Sequence, residues 1–166
     1  MIISALKERK DSEKRVAIVP EVAKKLVNEG HQVLVEEGAG NSSYFSDDLY
    51  KESGAEISNL DEILTKTDIL LVVDLPSDDI LSNLKDSSNI VGLLNPYDNQ
   101  NSFLSFKNKS ISAFSMELIP RITRAQSMDV LSSQANLSGY RAVINATSLY
   151  SKSMAMMMTA AGTVAP

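Results

Sequence analysis

The sequence contains no cysteine and a single histidine, His31. Without thiols there is no disulfide framework, no thiolate metal site and no cysteine nucleophile, and a reducing compartment fits. A lone histidine between Gly30 and an apolar strand, with no acidic partner at ligand spacing, builds neither a metal site nor a catalytic triad. It reads as a surface turn residue. Positive charge is scarce as well: Lys+Arg number 16 against 21 Asp+Glu, a net charge of −5, and no basic run occurs. A phosphate backbone would be repelled, so nucleic acid is not an expected partner. No apolar run approaches the roughly 18 residues that a membrane span needs, so direct membrane insertion is not expected. Met1 leads straight into a strand rather than into a cationic leader and apolar core, so no signal peptide is expected either. Internal repeats and low-complexity segments are missing too.

What is present is ordinary globular material. A chain of 166 residues is one core's worth, and 43% hydrophobic with 22% charged residues is enough to fold it. Apolar runs of strand length alternate with segments of helical period. "IISAL" reads as a first strand; "VPEVAKKLVNEGH" reads as a helix with Pro20 in its first turn, Gly30 at its stop, and Val22, Ala23, Leu26 and Val27 on one face. The strand "HQVLVEE" follows, then helix "SDDLYKESG", strand "AEIS", helix "LDEILTKT" and strand "DILLVVDL". Helix "SDDILSNL", strand "NIVGLLNP", helix "NQNSFLSFKNK" and strand "SISAFSM" complete the alternation. Apolar strands separated by amphipathic helices predict an open α/β fold: a mostly parallel sheet with helices on both faces. A long C-terminal helix is expected over about Met128 to Leu149, with Leu131, Ala135, Val143, Ala146 and Leu149 facing inward.

These elements place the chemistry-bearing residues. "EEGAGNSS" offers Gly38 and Gly40 after a strand, but Ser43 stands where a dinucleotide fingerprint needs its third glycine, so a structural turn is expected. "SDD" before Leu49 and again before Ile80 reads as helix capping rather than as a paired-carboxylate acid/base device. Arg15 lies in the loop after the first strand, at a carboxyl edge where parallel sheets bind ligands. An anion or carboxamide contact and a plain salt bridge both remain open for it. The strongest signal is "PRITRAQSMDVLSSQANLSGYRAV", Pro120 to Val143, with three arginines, two glutamines, an aspartate and four serines. Arg121 offers a fork of donors, Gln126 a matched donor and acceptor, and Asp129 and Ser132 a helical i, i+3 pair. Such a set can hold a ligand's amide, or it can cap the helix and pin the loop. The ending "SKSMAMMMTAAGTVAP" holds four of the seven methionines and reads either as a connector or as a tail folded over the domain's own core.

Together "RVAIVP", "VEEGAG", "SGAEI", the Arg121 to Ser132 stretch and "MMMTAAGTVAP" resemble the N-terminal domain of the alpha subunit of proton-translocating NAD(P) transhydrogenases, over nearly the whole chain. The resemblance implies a Rossmann-like or flavodoxin-like N-terminal domain over residues 1–150 and a connector, 151–166, towards a Rossmann NAD-binding domain. It implies Arg121, Gln126, Asp129 and Ser132 as contacts to the nicotinamide of NAD(H), with Arg15 as a further candidate, no acid/base residue, and no metal. It also implies NADP(H) on another, membrane-attached subunit, hydride transfer between the two cofactors coupled to proton movement, a homodimeric assembly, and a place at the cytoplasmic face of the inner membrane. Alanine dehydrogenases share the fold and the "RVA" and "GAG" signatures. The resemblance puts a substrate-binding lysine of that sister group on strand "DILLVVD" and a catalytic histidine near the end of "IVGLLNP". Val72 and Asn95 stand at those places here, which disfavours alanine chemistry. A non-catalytic docking module or a remnant is the alternative to an enzyme component.

Overall fold

The computed structural model describes all 166 residues, and the chain divides into two compact units, Met1–Ile119 and Pro120–Pro166. The first unit is a six-stranded sheet in the order β3-β2-β1-β4-β5-β6, parallel throughout. Its strands are β1 (Ile2–Ala5), β2 (Gln32–Glu36), β3 (Glu56–Ser58), β4 (Ile69–Asp74), β5 (Asn89–Leu93) and β6 (Ser112–Ser115). The helices between them are α1 (Pro20–Asn28), α2 (Asp47–Glu52), α3 (Leu60–Lys66), α4 (Asp78–Ser82) and α5 (Gln100–Asn108). The expected alternation of strand and helix is therefore present element for element.

Helix ends follow local chemistry. Pro20 opens α1, where its missing N–H costs nothing. Gly30 and Gly54 close α1 and α2 with φ of +86° and +87°. In both, the glycine amide and the amide after it reach back to helical carbonyls: Gly30 N to Val27 O and His31 N to Leu26 O, Gly54 N to Lys51 O and Ala55 N to Tyr50 O. This left-handed stop is what glycine permits at no steric cost. His31 thus serves a helix stop through its backbone, half-buried rather than on the surface. The two "SDD" runs do start helices, yet neither Ser46 nor Ser77 makes a side-chain cap bond. Asp47 turns instead to the Gly38 amide, 2.9 Å away. Asn59 is the residue that caps, accepting from Glu62 N at 2.9 Å to start α3.

Two apolar cores flank the sheet. Ala23 and Tyr50 from α1 and α2 meet Ala5, Val33 and Val35 on one face. Ile63, Leu64, Leu81 and Phe106 from α3, α4 and α5 meet Leu34, Leu70, Val72 and Ile90 on the other. Tyr50 is fully buried and donates to Ile18 O at 2.8 Å; burial, reinforced by Asp47, pushes its phenol up to about 12. Val22, expected on the inner face of α1, is 40% exposed, since a nine-residue helix lying on a sheet buries only the stripe through Ala23.

The second unit holds the long helix α6 (Val130–Leu149) and an antiparallel pair, β7 (Met157–Thr159) with β8 (Gly162–Val164). The helix starts two residues later than Met128 because residues 123–128 wind as a 3-10 turn and Asp129 takes the cap. None of its residues is buried: Leu131, Val143 and Leu149, expected to face inward, are exposed, Leu149 at 87%. The Met154–Met158 tract is exposed as well and is not folded over a core. No helix of the chain is long and apolar enough to cross a membrane.

Gly92 in β5 faces Val72 so closely that an added Cβ would collide with the Val72 carbonyl oxygen and lie 2.7 Å from Val72 Cγ2. Gly139 in α6 has nothing within 4 Å of that position. Gly92→Ala should therefore lower unfolding free energy by about 1–3 kcal/mol. Gly139→Ala should strengthen its helix by up to about 1 kcal/mol. Urea titrations of both variants check the pair; equal effects of one sign would refute it.

Candidate functional site

The strand order reverses between β1 and β4, so their following loops diverge and leave a crevice at the carboxyl edge. The crevice has a volume of about 290 Å³. Leu6, Val72, Leu75 and Ile80 form its apolar wall, and Glu8, Lys10 and Asp74 bring charge to its mouth. Val72 is buried and aliphatic, so the crevice has no cation on β4.

Three glutamates hold this edge together. Glu8 accepts from Val73 N at 2.6 Å and Asp74 N at 3.3 Å. Glu36 accepts from Lys7 N at 2.8 Å and Arg9 Nη2 at 2.6 Å. Glu117 accepts from Leu94 N at 3.3 Å and from Asn95 N. Each carboxylate satisfies backbone amides of a neighbouring strand's exit, where the ladder has ended and the donors would otherwise be unpaired. Burial pushes the Glu8 carboxyl up from its ordinary range, against the pull of its two amide bonds. The clamps escaped sequence reasoning, although one signal was there: an acid just past the apolar run in "SALKE", "VLVE" and "FSME".

Three cations at this edge are already engaged, while the Lys7 ammonium, also in the crevice lining, has no partner. Lys10 pairs with Asp74, Arg9 with Glu36, and Arg15 with both Glu13 oxygens, at 2.8 Å from Nε and 2.6 Å from Nη2. Arg15 thus forms a salt bridge in the chain itself. Its partner Glu13 is held below the usual carboxylate range by the Arg15 side chain. The "GAG" turn is likewise structural. Gly38 has φ +71° and gives its amide to Asp47, and a Cβ on Gly40 would sit 2.6 Å from Phe45 O. Asn95 adopts φ +43° after β5, with its amide side chain 2.6 Å from Asp98 Oδ2, a turn role that asparagine tolerates.

The polar stretch of the second unit is braced from within. Ile122 N bonds to Pro120 O at 2.9 Å, Ala125 N to Ile122 O at 2.9 Å, and Asp129 N to Gln126 O at 3.3 Å. Ala125 is the buried residue of this turn. Asp129 accepts from Ser132 N at 2.9 Å and from Ser132 Oγ at 2.6 Å, so these two candidates cap α6 together. The Ser132 hydroxyl and amide hold the Asp129 carboxyl below its usual range, and Arg121 adds to the effect. Arg121 and Gln126 are exposed, and their side chains enter none of the chain's hydrogen bonds or ion pairs. The structure therefore joins Asp129 and Ser132 and leaves the side chains of Arg121 and Gln126 unpaired.

A parallel α/β sheet in this order, with a crevice at its point of reversal, defines the open doubly wound class. Within that class, residues 4–138 match the family described as alanine dehydrogenase/PNT, N-terminal domain, and the chain belongs to it. It is 46% identical to an NAD(P) transhydrogenase alpha subunit of Rickettsia prowazekii, over 99% of this chain and 44% of that protein. The crystal structure of transhydrogenase from Sinorhizobium meliloti superposes with a TM-score of 0.91 at 43% identity, covering 99% of this chain and 49% of that one. Alanine dehydrogenase 1 of Staphylococcus aureus is more distant, 30% identical over 87% of this chain and 38% of its own length. The chain thus spans less than half the length of these relatives.

Asp129 supplies a pH test. Its folded pKa is lowered, so its capping contribution is complete above the unfolded value and is lost as pH falls through the folded one. Acidification should release the Ser132 amide and fray the first turn of α6 before the sheet unfolds, and Asp129→Ala should do the same at neutral pH. Amide chemical shifts of residues 130–133 followed against pH read this directly; an unchanged first turn in the variant would contradict the cap.

Proposed function

We propose that this chain belongs to the NAD(H)-binding component of a proton-translocating NAD(P) transhydrogenase, and that residues 121–132 position the nicotinamide. In this reading NADP(H) sits on another, membrane-attached subunit. Hydride passes from C4 of one nicotinamide to C4 of the other, oxidising the donor and reducing the acceptor, with proton movement coupled to the exchange. The observation that carries the reading is the braced 3-10 turn that leaves Arg121 and Gln126 with unengaged donors, in a chain similar along its length to transhydrogenase alpha subunits. No acid or base is needed for hydride transfer, only two rings held in near-contact. Preorganised guanidinium and carboxamide donors fix one ring's place. Asp129 and Ser132 serve the same end by fixing where α6 begins.

The residues fit a nicotinamide and do not fit the rest of the dinucleotide. Gly38 has spent its amide on Asp47, and Arg9, Lys10 and Arg15 are each paired with an acid, which leaves Lys7 as the one unpaired cation lining the crevice. A Rossmann NAD-binding domain or chain would supply that binding, with residues 151–166 as the connector towards it and residues 1–150 as the domain. The assembly would be homodimeric and peripheral at the cytoplasmic face of the inner membrane. A second reading, a docking module without a catalytic role, draws on the exposed methionines between Met154 and Met158. Alanine dehydrogenase chemistry has no support from the buried Val72 or from Asn95, which is tied to Asp98.

In the assembled enzyme, Arg121→Ala or Gln126→Ala should slow hydride transfer by about tenfold or more, some 1.4 kcal/mol of lost transition-state positioning. Single-turnover reduction of an NADP analogue by NADH is the measurement, with circular dichroism as the fold control. Turnover at the unmutated rate in both variants would take the loop out of the mechanism and favour the docking reading.

A further inference from the structure

Lys7 is the one cation of the crevice lining that no acid of the chain answers. It is exposed, so water satisfies its ammonium, and a solute that enters the crevice and displaces that water must do the same. The two acids of the lining are committed elsewhere: Glu8 holds the Val73 and Asp74 amides, and Asp74 pairs with Lys10. Ser77, at the start of α4, also lies in the lining, and its side chain makes no cap bond. One cation on the exit of β1 and one hydroxyl donor on the exit of β4 therefore stand unanswered. Beneath them the wall is apolar and preformed. Leu6 and Val72 belong to the core under α3, α4 and α5, and Leu75 and Ile80 pack against it. The 290 Å³ of the crevice equal about ten water-sized volumes, room for a small solute and not for a nucleotide.

We propose that the crevice between the exits of β1 and β4 is a binding site for a short aliphatic monocarboxylate, with the carboxylate on Lys7 and Ser77 and the hydrocarbon tail on Leu6, Val72, Leu75 and Ile80. Each part of that ligand answers a feature of the crevice. A neutral hydrocarbon would cover the wall and leave the Lys7 ammonium stripped of water. A phosphate would answer Lys7 but bring a second negative charge beside Glu8 and Asp74, and it has no apolar part for the wall. A 2-oxo or 2-amino acid of the same length carries a further polar group next to its carboxylate. That group would lie against the buried aliphatic Val72 and its apolar neighbours, which offer it no hydrogen bond. The plain acid is thus preferred. Once bound, it would join the β1 exit to the β4 exit, as the Glu8 clamp already does. The site lies wholly within Met1–Ile119, and the inference stands apart from the nicotinamide reading.

The test titrates the full 166-residue chain with pentanoate and follows backbone amide shifts. Saturable shifts at Leu6, Lys7, Asp74 and Ser77 are expected, with Kd on the order of 1 mM, as suits a ligand of so few atoms. Pentan-1-ol, pyruvate and inorganic phosphate should each bind about tenfold more weakly or not at all, since each lacks one of the matched features. Lys7→Gln should weaken pentanoate about tenfold or more, as loss of a charge-assisted hydrogen bond does, and Lys7→Arg should restore most of it. Lys14→Gln, exposed and outside the lining, should bind like the unmutated chain. Both lysines are exposed, so these variants keep the fold, and the rest of the amide spectrum verifies it. Absence of saturation, shifts confined to residues outside the crevice, or equal binding by Lys7→Gln overturns the proposal. So does pentan-1-ol, pyruvate or phosphate binding as tightly as pentanoate, which would make the site a plain apolar cleft, an oxo-acid site or a general anion site.

Discussion

A parallel strand cannot turn directly into its neighbour; every connection must climb over a face of the sheet and return. That constraint organises the first unit. It forces a helix between successive strands, and it sends α1 and α2 over one face and α3, α4 and α5 over the other. The change of face lies between β1 and β4, so the crevice there is a by-product of connectivity rather than a feature that particular residues carve. The same connectivity brings all strand exits to one edge, where backbone donors run out of ladder partners. Glu8, Glu36 and Glu117 are the local answer. Five helices in two layers over six strands leave the second face of β4, β5 and β6 without a layer of its own.

The carboxylate clamps also shape what the edge can recognise. Glu36 engages Arg9, while Asp74 and Glu13 engage Lys10 and Arg15, so three of the cations at this edge are balanced within the chain. In the 121–132 stretch, bracing is done by backbone and by the Asp129–Ser132 pair, while the Arg121 and Gln126 side chains stay unengaged.

The sequence by itself determined the alternation of elements, the parallel class, and the helix stops at Gly30 and Gly54, because hydrophobic period and left-handed glycine are local properties that need no partner to be read. It also determined the family, through motifs between Arg15 and Pro166, and the family match covers residues 4–138. Tertiary structure decided the rest. Whether Arg15 is free or bound depended on where Glu13 folds back, and the long-range bond from the Gly38 amide to Asp47 could not be read from either segment alone. The inward face expected of α6 could not be read from its apolar residues, since a hydrophobic stripe states what a helix can bury and not what is there to bury it against. The acids of the three clamps stood visibly past their apolar runs, but their partners could not be read: each clamp joins residues 22 to 66 positions apart, and only the parallel register brings a glutamate opposite another strand's unpaired amides.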